Sequence, residues 1–333
     1  MAPHLTSYPL SHSDWKNLLT ALYKVKNKPA DFTKQSFPPD ALRSINPIAR
    51  ERLGDEVYEQ LRYNWTLTDT ALVQAKKGEL SKASEGFATA AGQFYQLSGE
   101  ALLLAKALYY SRIAYYYYRS GQFEEAEKSI TSTLEIDDQL QPVYYVFHGH
   151  KLHVLQNRSR TLALRKKYEE GADLLLDVMH YMINPRHIPY PTGVWGKKWV
   201  EKEATIQATP VAFKFTLFYF CRDSHHFPAF ETAVITRSKR FVRDLKKVAD
   251  SHPVYQVTLD WFEAKQALYL YDDINLYIKK TSYFLENYSE QYNLFKLLLL
   301  MDLFRALKLL GLSSESQEIH DFIDEYHTIR IAA

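Results

Sequence analysis

Three histidines stand close together in His148-Gly-His150-Lys-Leu-His153, and Cys221 precedes the pair His225-His226 by one helical turn. Imidazole nitrogen and thiolate sulfur are the donors that zinc and similar metals take. On a helix His150 and His153 share a face while His148 points elsewhere, and His225-His226 falls in an expected turn. Neither set has the paired CxxC or HExxH spacing of a zinc site, so no metal and no cofactor is expected. The adjacent carboxylates Glu124-Glu125, Asp137-Asp138 and Asp272-Asp273 are of a type that can share a proton. They fall at expected helix starts and ends, where capping accounts for them. No glycine-rich phosphate loop and no nucleophile elbow is present. The chain therefore reads as a non-enzyme.

A second kind of chemistry is charge. The stretch TRSKRFVRDLKK at 236–247 reads as a basic amphipathic helix. Arg240, Arg243 and Lys247 share one face, and Phe241, Leu245 and Val248 another. Such a face attracts an acidic partner or a phosphate backbone. The net charge of the whole chain is only +2, which makes nucleic acid an unlikely ligand and leaves any attraction to local patches.

The elements that position these residues are helices. Eleven glycines and thirteen prolines among 333 residues are few, and the prolines cluster outside the periodic stretches. Apolar residues recur at three- and four-residue spacing. This predicts helices over 12–26, 55–77, 79–97, 100–119, 122–137, 142–156 and 160–183, then 210–222, 228–249, 253–271, 273–287, 290–310 and 314–326. Gly78, Gly121 and Gly311 each stand where a left-handed cap would end one helix before the next, and Thr209-Pro210 reads as a helix start. Residues 27–48 and 184–208 are proline-bearing and aperiodic; the second stretch is either a functional loop or a subdomain boundary. The most apolar run, 294–304, is short and carries Lys296 and Asp302, so no membrane span is expected. The N-terminus has no signal-peptide pattern, and the single cysteine suits a reducing compartment, so a cytoplasmic location is expected.

The clearest segment is 107–138. Tyr110, Ile113, Ala114 and Tyr117 line one helix face, Gly121 ends that helix, and Phe123, Ala126, Ile130 and Leu134 line the next. Small Ala114 and Ala126 permit close approach. An upstream copy runs through Leu67, Ala71, Gly78, Leu80, Ala83, Phe87 and Ala90, and Tyr145, Gly149 and Leu152 start a further one. This pattern resembles the tetratricopeptide repeat over about 65–155. The two glycines are 43 residues apart, which implies longer helices or linkers than the family's usual 34.

The resemblance implies an all-α, right-handed superhelical solenoid of antiparallel helix pairs with an irregular insertion near 184–208. Residues 1–54 would form an N-terminal cap and linker, 55–183 the repeat-like pairs, and 209–333 further pairs and a cap. It also implies a concave groove lined by first helices, with Tyr115, Tyr118 and Arg119 on one stripe and His150 and His153 on the next. The function this implies is a non-catalytic adaptor or regulatory scaffold that binds a protein or peptide segment. The alternative is a sensor or nucleic-acid-associated regulator that uses the 236–247 segment.

Overall fold

Few breakers and a 3.6-residue apolar period leave the backbone one economical way to satisfy its hydrogen bonds, and the chain takes it. The computed structural model describes residues 9–26, 45–200, 203–224 and 227–326. Among the described residues 83% are helical and there is no strand, against about a third helix in an ordinary globular chain. The sixteen α-helices among them begin with α1 (His12–Lys26), α2 (Ile45–Leu53), α3 (Asp55–Lys76), α4 (Leu80–Gly92) and α5 (Gly99–Arg119). Next come α6 (Phe123–Leu140), α7 (Val146–Leu164), α8 (Tyr168–Ile183), α9 (Lys197–Val200) and α10 (Glu203–Ser224). The chain closes with α11 (Pro228–Arg237), α12 (Lys239–Leu245), α13 (Pro253–Tyr269), α14 (Ile274–Asn287), α15 (Asn293–Leu309) and α16 (Ser313–Tyr326). No described helix is long and apolar enough to cross a membrane.

Two units divide the chain: a central unit, 37–209, and a terminal unit made of 1–36 with 210–333. The sequence reading grouped 1–54 as one cap. Helix α1 instead packs on α14 in the terminal unit, while α2 packs on α3 in the central one. Helix α2 lies in a stretch expected to be irregular; its Pro47 falls in the first turn, where the missing N–H costs nothing. The expected helix start at Pro210 is also displaced, because α10 already begins at Glu203 and carries Pro210 inside it.

The central unit is built from three helical hairpins, α3–α4, α5–α6 and α7–α8, each packed together along its length. One turn closes all three. After α3, Gly78 has φ 82° and its N–H donates to Ala75 O, while Glu79 N–H donates to Gln74 O. After α5, Gly121 (φ 77°) and Gln122 repeat both bonds, to Tyr118 O and Tyr117 O. These are the two bonds of a left-handed C-cap, which satisfy carbonyls a helix end otherwise leaves open. After α7 the left-handed position is filled by Lys166 (φ 61°), with the same pair of bonds to Ala163 O and Leu162 O. The sequence reading ended one helix at 156 and began the next at 160; the helix instead runs on to Leu164. Five residues beyond each turn stand Ala83, Ala126 and Gly171, all buried. A small side chain at that place lets the second helix close on the first. Ser159 of α7 donates from Oγ to Gly171 O at 2.7 Å, a direct sign of that approach.

In the terminal unit α13 pairs with α14 and α15 with α16, and Gly311 (φ 74°) closes the second pair with the same two bonds. Asp273 caps α14, its side chain accepting from Leu276 N–H at 2.9 Å, as the sequence suggested.

Candidate functional site

The first helices of the central hairpins carry most of the residues singled out above. Tyr115 and Tyr118 lie one turn apart on α5 and meet edge to face, ring centroids 4.6 Å apart. Both are half-buried. Burial first, and then a hydrogen bond with Tyr115, hold the Tyr118 phenol protonated well above its ordinary range. With Ser111, Ile130 of α6 and Val154, Asn157 and Thr161 of α7 they line a cavity of about 20 Å³. That is room for about one water molecule, far below a small-molecule site of several hundred Å³. Arg119 is exposed.

His153 of α7 is exposed, and its Nε2 lies 3.2 Å from Asn157 Nδ2. Crowding by protein, followed by the charges of His150, Arg160 and Lys76, pushes its pKa down to about 4. Lys76 and Arg160 were not foreseen. With the third turn at Lys166, Arg160 takes the place in α7 that Tyr115 takes in α5, and only that turn reveals it.

His150 departs from the sequence reading. It was expected on the groove floor beside His153. Its side chain is only 8% exposed, and its Nδ1 stands 2.8 Å from Oδ2 of Asp137, which is fully buried. Packing α6 on α7 buries that carboxylate, and an unpaired buried carboxylate is costly, so the imidazole turns to it. Burial raises the Asp137 pKa, and His150 and Lys151 oppose the rise. Asp137 and Asp138 therefore lie inside α6 as structural partners, not as the helix caps the sequence suggested.

Asp138 anchors a strap. Residues 184–196 run without helix between α8 and α9. The fully buried Lys151 donates to Asp138 Oδ1 at 2.5 Å and to Val194 O at 2.7 Å, and stands 4.0 Å from the centre of the Trp195 ring. Val194 N–H donates to Asp138 Oδ1 at 3.0 Å, and Gln141 Nε2 donates to Val194 O at 3.0 Å. Gly193 has φ +97°, and a Cβ there would meet Asp138 Oδ2 at 2.6 Å, so the strap needs glycine at this point. Tyr181 accepts from Gly196 N–H at 3.1 Å, and its hydroxyl is 3.1 Å from His148 Nε2. Burial, then the charge of Lys151, pushes His148 down to about pKa 3, so it is a neutral ring packed against Trp195 and Trp199.

The basic segment, in the terminal unit, is not one helix. Helix α11 ends at Arg237 and α12 starts at Lys239, with Ser238 between them donating from Oγ to Ile235 O and accepting from Gln266 Nε2. Phe241 and Leu245 are buried as expected. Lys247 reaches Asp244 at 2.5 Å and Arg243 reaches it at 3.5 Å, holding that carboxyl down at about pKa 2, while Arg240 is exposed. Asp244 thus offsets part of the charge the sequence assigned to this face.

Among the described residues no group of three histidine, cysteine or acidic side chains is placed to hold a metal ion. Cys221 is buried, and His225 and His226 lie outside the described residues. Compared with protein-family models, with curated proteins and with solved structures, the chain matches none.

Proposed function

We propose that the chain is a TPR-like, right-handed superhelical solenoid of antiparallel helix pairs that holds a protein or peptide segment in a concave groove. In this reading it is a non-catalytic adaptor or regulatory scaffold acting in the cytoplasm. The floor of the groove is Tyr115, Tyr118 and His153, with Arg119 and Lys76 at its rim. One observation carries the reading: three hairpins share one left-handed turn, and Tyr115 and Tyr118 of the second first helix line one small cavity together with Val154, Asn157 and Thr161 of the third. Stacked pairs of this kind bury their faces against their neighbours and leave the first helices facing a common space. Half-buried tyrosines on a shallow floor suit a protein partner, to which they offer apolar area and a hydroxyl together.

The test is affinity capture with the intact chain beside a Tyr118→Ala/His153→Ala variant, each with its melting temperature. His150 is left intact, because its removal would strand Asp137. Partners retained by the parent chain and lost by a variant of normal stability are the expected result. Equal retention by both chains would rule the groove out.

A further inference from the structure

The strap between α8 and α9 is gripped by its backbone. Asp138 and Gln141 stand at the end of α6, Lys151 on α7 and Tyr181 on α8. From these four side chains five hydrogen bonds reach the strap, and all five end on main-chain atoms of Val194 and Gly196. The N–H and the C=O of both residues are taken. The side chains between 191 and 196 add little: Pro191 and Thr192 are exposed, and Val194 is 42% exposed. Trp195 alone turns inward, its ring under the Lys151 ammonium and edge to face with Tyr181. A loop that belongs to a core buries its apolar side chains. This stretch shows Val194 to solvent and is held as an added extended peptide is held, through its main chain.

The gripping groups keep their places without the strap. Lys151 reaches Asp138 directly at 2.5 Å, and the Tyr181 hydroxyl stands 3.1 Å from His148 Nε2. Nor does the strap use all that they offer. Gln141 is fully buried, and its Nε2 holds Val194 O, yet its Oε1 has no hydrogen-bond partner among the described residues. An unmet buried acceptor is costly, and it marks a site whose best occupant brings a donor that the strap lacks.

We infer that Asp138, Gln141, Lys151 and Tyr181 form a clamp for an extended peptide segment of a partner protein, of the form Gly-x-aromatic-Gly, and that residues 193–196 occupy it in cis. Each place in that form has its reason. At the first, a Cβ would meet Asp138 Oδ2 at 2.6 Å and φ is +97°. The second is free, since its side chain faces solvent. At the third, the ring lies 4.0 Å from the Lys151 cation. At the fourth, φ is 124°, which favours glycine. The clamp is independent of the groove: Lys151 and Arg158 of α7 meet the strap, whereas Val154, Asn157 and Thr161 line the cavity beside Tyr118. A tethered segment competes at a roughly millimolar effective concentration, so the strap screens the clamp against all but a better-fitting partner.

The probe is a labelled synthetic peptide of residues 188–199, IPYPTGVWGKKW, titrated against the parent chain and Gly193→Ala. That substitution evicts the strap and leaves the four clamp residues in place. Gly193→Ala is expected to bind the peptide about tenfold or more tighter than the parent does. Adding Lys151→Met, or placing alanine at the peptide's own first glycine, should remove most of that binding. In the parent chain the Val194 and Gly196 amides should exchange through a local opening, faster than those of α7. A Gly193→Ala chain that melts like the parent and does not bind the peptide would overturn the clamp. If Gly193→Ala does not fold, the parent's exchange decides. Val194 and Gly196 amides that open only with the whole unit would make the strap a fixed part of the core and overturn the inference equally. Dimerisation of the parent with rising concentration, absent in Trp195→Ala, would overturn the partner protein in favour of a second copy of this chain.

Discussion

Helices α5 and α15 are each the first member of a glycine-closed pair, yet they treat their surfaces differently. Twelve of the 17 residues of α15 are buried, as are twelve of the 17 of α13, against eight of the 21 of α5. Helices α13 and α15 of the terminal unit are buried over most of their length, α5 of the central unit over little more than a third, and α7, with 11 of its 19 residues buried, lies between them. A helix apolar all round belongs in a core, whereas one with a half-covered polar and aromatic face has surface to offer a partner. The groove proposed above uses this half-covered face of α5.

The two fully buried lysines express the same contrast. Lys265 of α13 donates to Glu231 at 2.7 Å and to Asp302 at 2.5 Å, and faces the Trp261 ring at 5.0 Å. Burial pushes its pKa down, but Asp302 and Glu231 together push it further up. Lys151 hydrogen-bonds one carboxylate, Asp138, which is 20% exposed, and feels Asp137 only through its charge; burial wins there and its pKa is lowered. Two enclosed carboxylates outweigh desolvation, and one half-solvated carboxylate does not.

The largest effect is expected from Lys265→Met, which leaves Glu231 without its hydrogen-bonded cation and Asp302 with only the half-exposed Arg305 at 3.3 Å. Breaking such a buried network costs about 3–5 kcal/mol, and chemical denaturation measures it. A loss below about 1 kcal/mol, the scale of an exposed pair, would break the contrast.

Next comes the acid limb of the central unit. His148 is held at about pKa 3, so the unfolded chain binds a proton that the folded chain refuses as pH falls from the ordinary imidazole value near 6.5. Stability is therefore lost through that window, by up to about tenfold in the unfolding equilibrium per pH unit. In His148→Gln this component disappears, and the variant gains on the parent chain as pH is lowered from about 6.5 towards 3. Parallel stability–pH curves would show that His148 does not titrate as described.

A smaller loss, about 1–3 kcal/mol, is expected for Lys151→Met, because Asp138 keeps its bond from Val194 N–H and some access to water. Its diagnostic is local: amide exchange should quicken in the 190–196 strap and stay unchanged in α13 and α15. The smallest effect is expected for Tyr118→Ala, about 1 kcal/mol or less in the free chain, since an open floor contributes little to folding. A loss of more than about 3 kcal/mol would make Tyr118 a core residue.

Where the local chemistry is distinctive the sequence is readable. Helix α1 falls on the range its period predicts, and Gly78, Gly121 and Gly311 take the left-handed caps expected of them. The third turn was hidden because Lys166 does a glycine's work there, and nothing in a lysine announces a positive φ. That one omission misplaced the register of α7 and concealed Arg160. The meeting of Tyr115 with Tyr118 one turn on was legible from helical spacing. The turn of His150 to Asp137 was not, since it crosses from one helix to the next and depends on which carboxylate the packing buries. The strap contacts of Asp138, Lys151 and Val194 are likewise products of tertiary structure, beyond any local period.

The most direct test of the groove is an amide-exchange footprint of the intact chain with and without a partner retained in the affinity capture above. Slowed exchange over 111–119 of α5 and 153–161 of α7, with α13 and α15 unchanged, is the predicted result. Protection confined to the 190–196 strap, or to helices of the terminal unit, would contradict it.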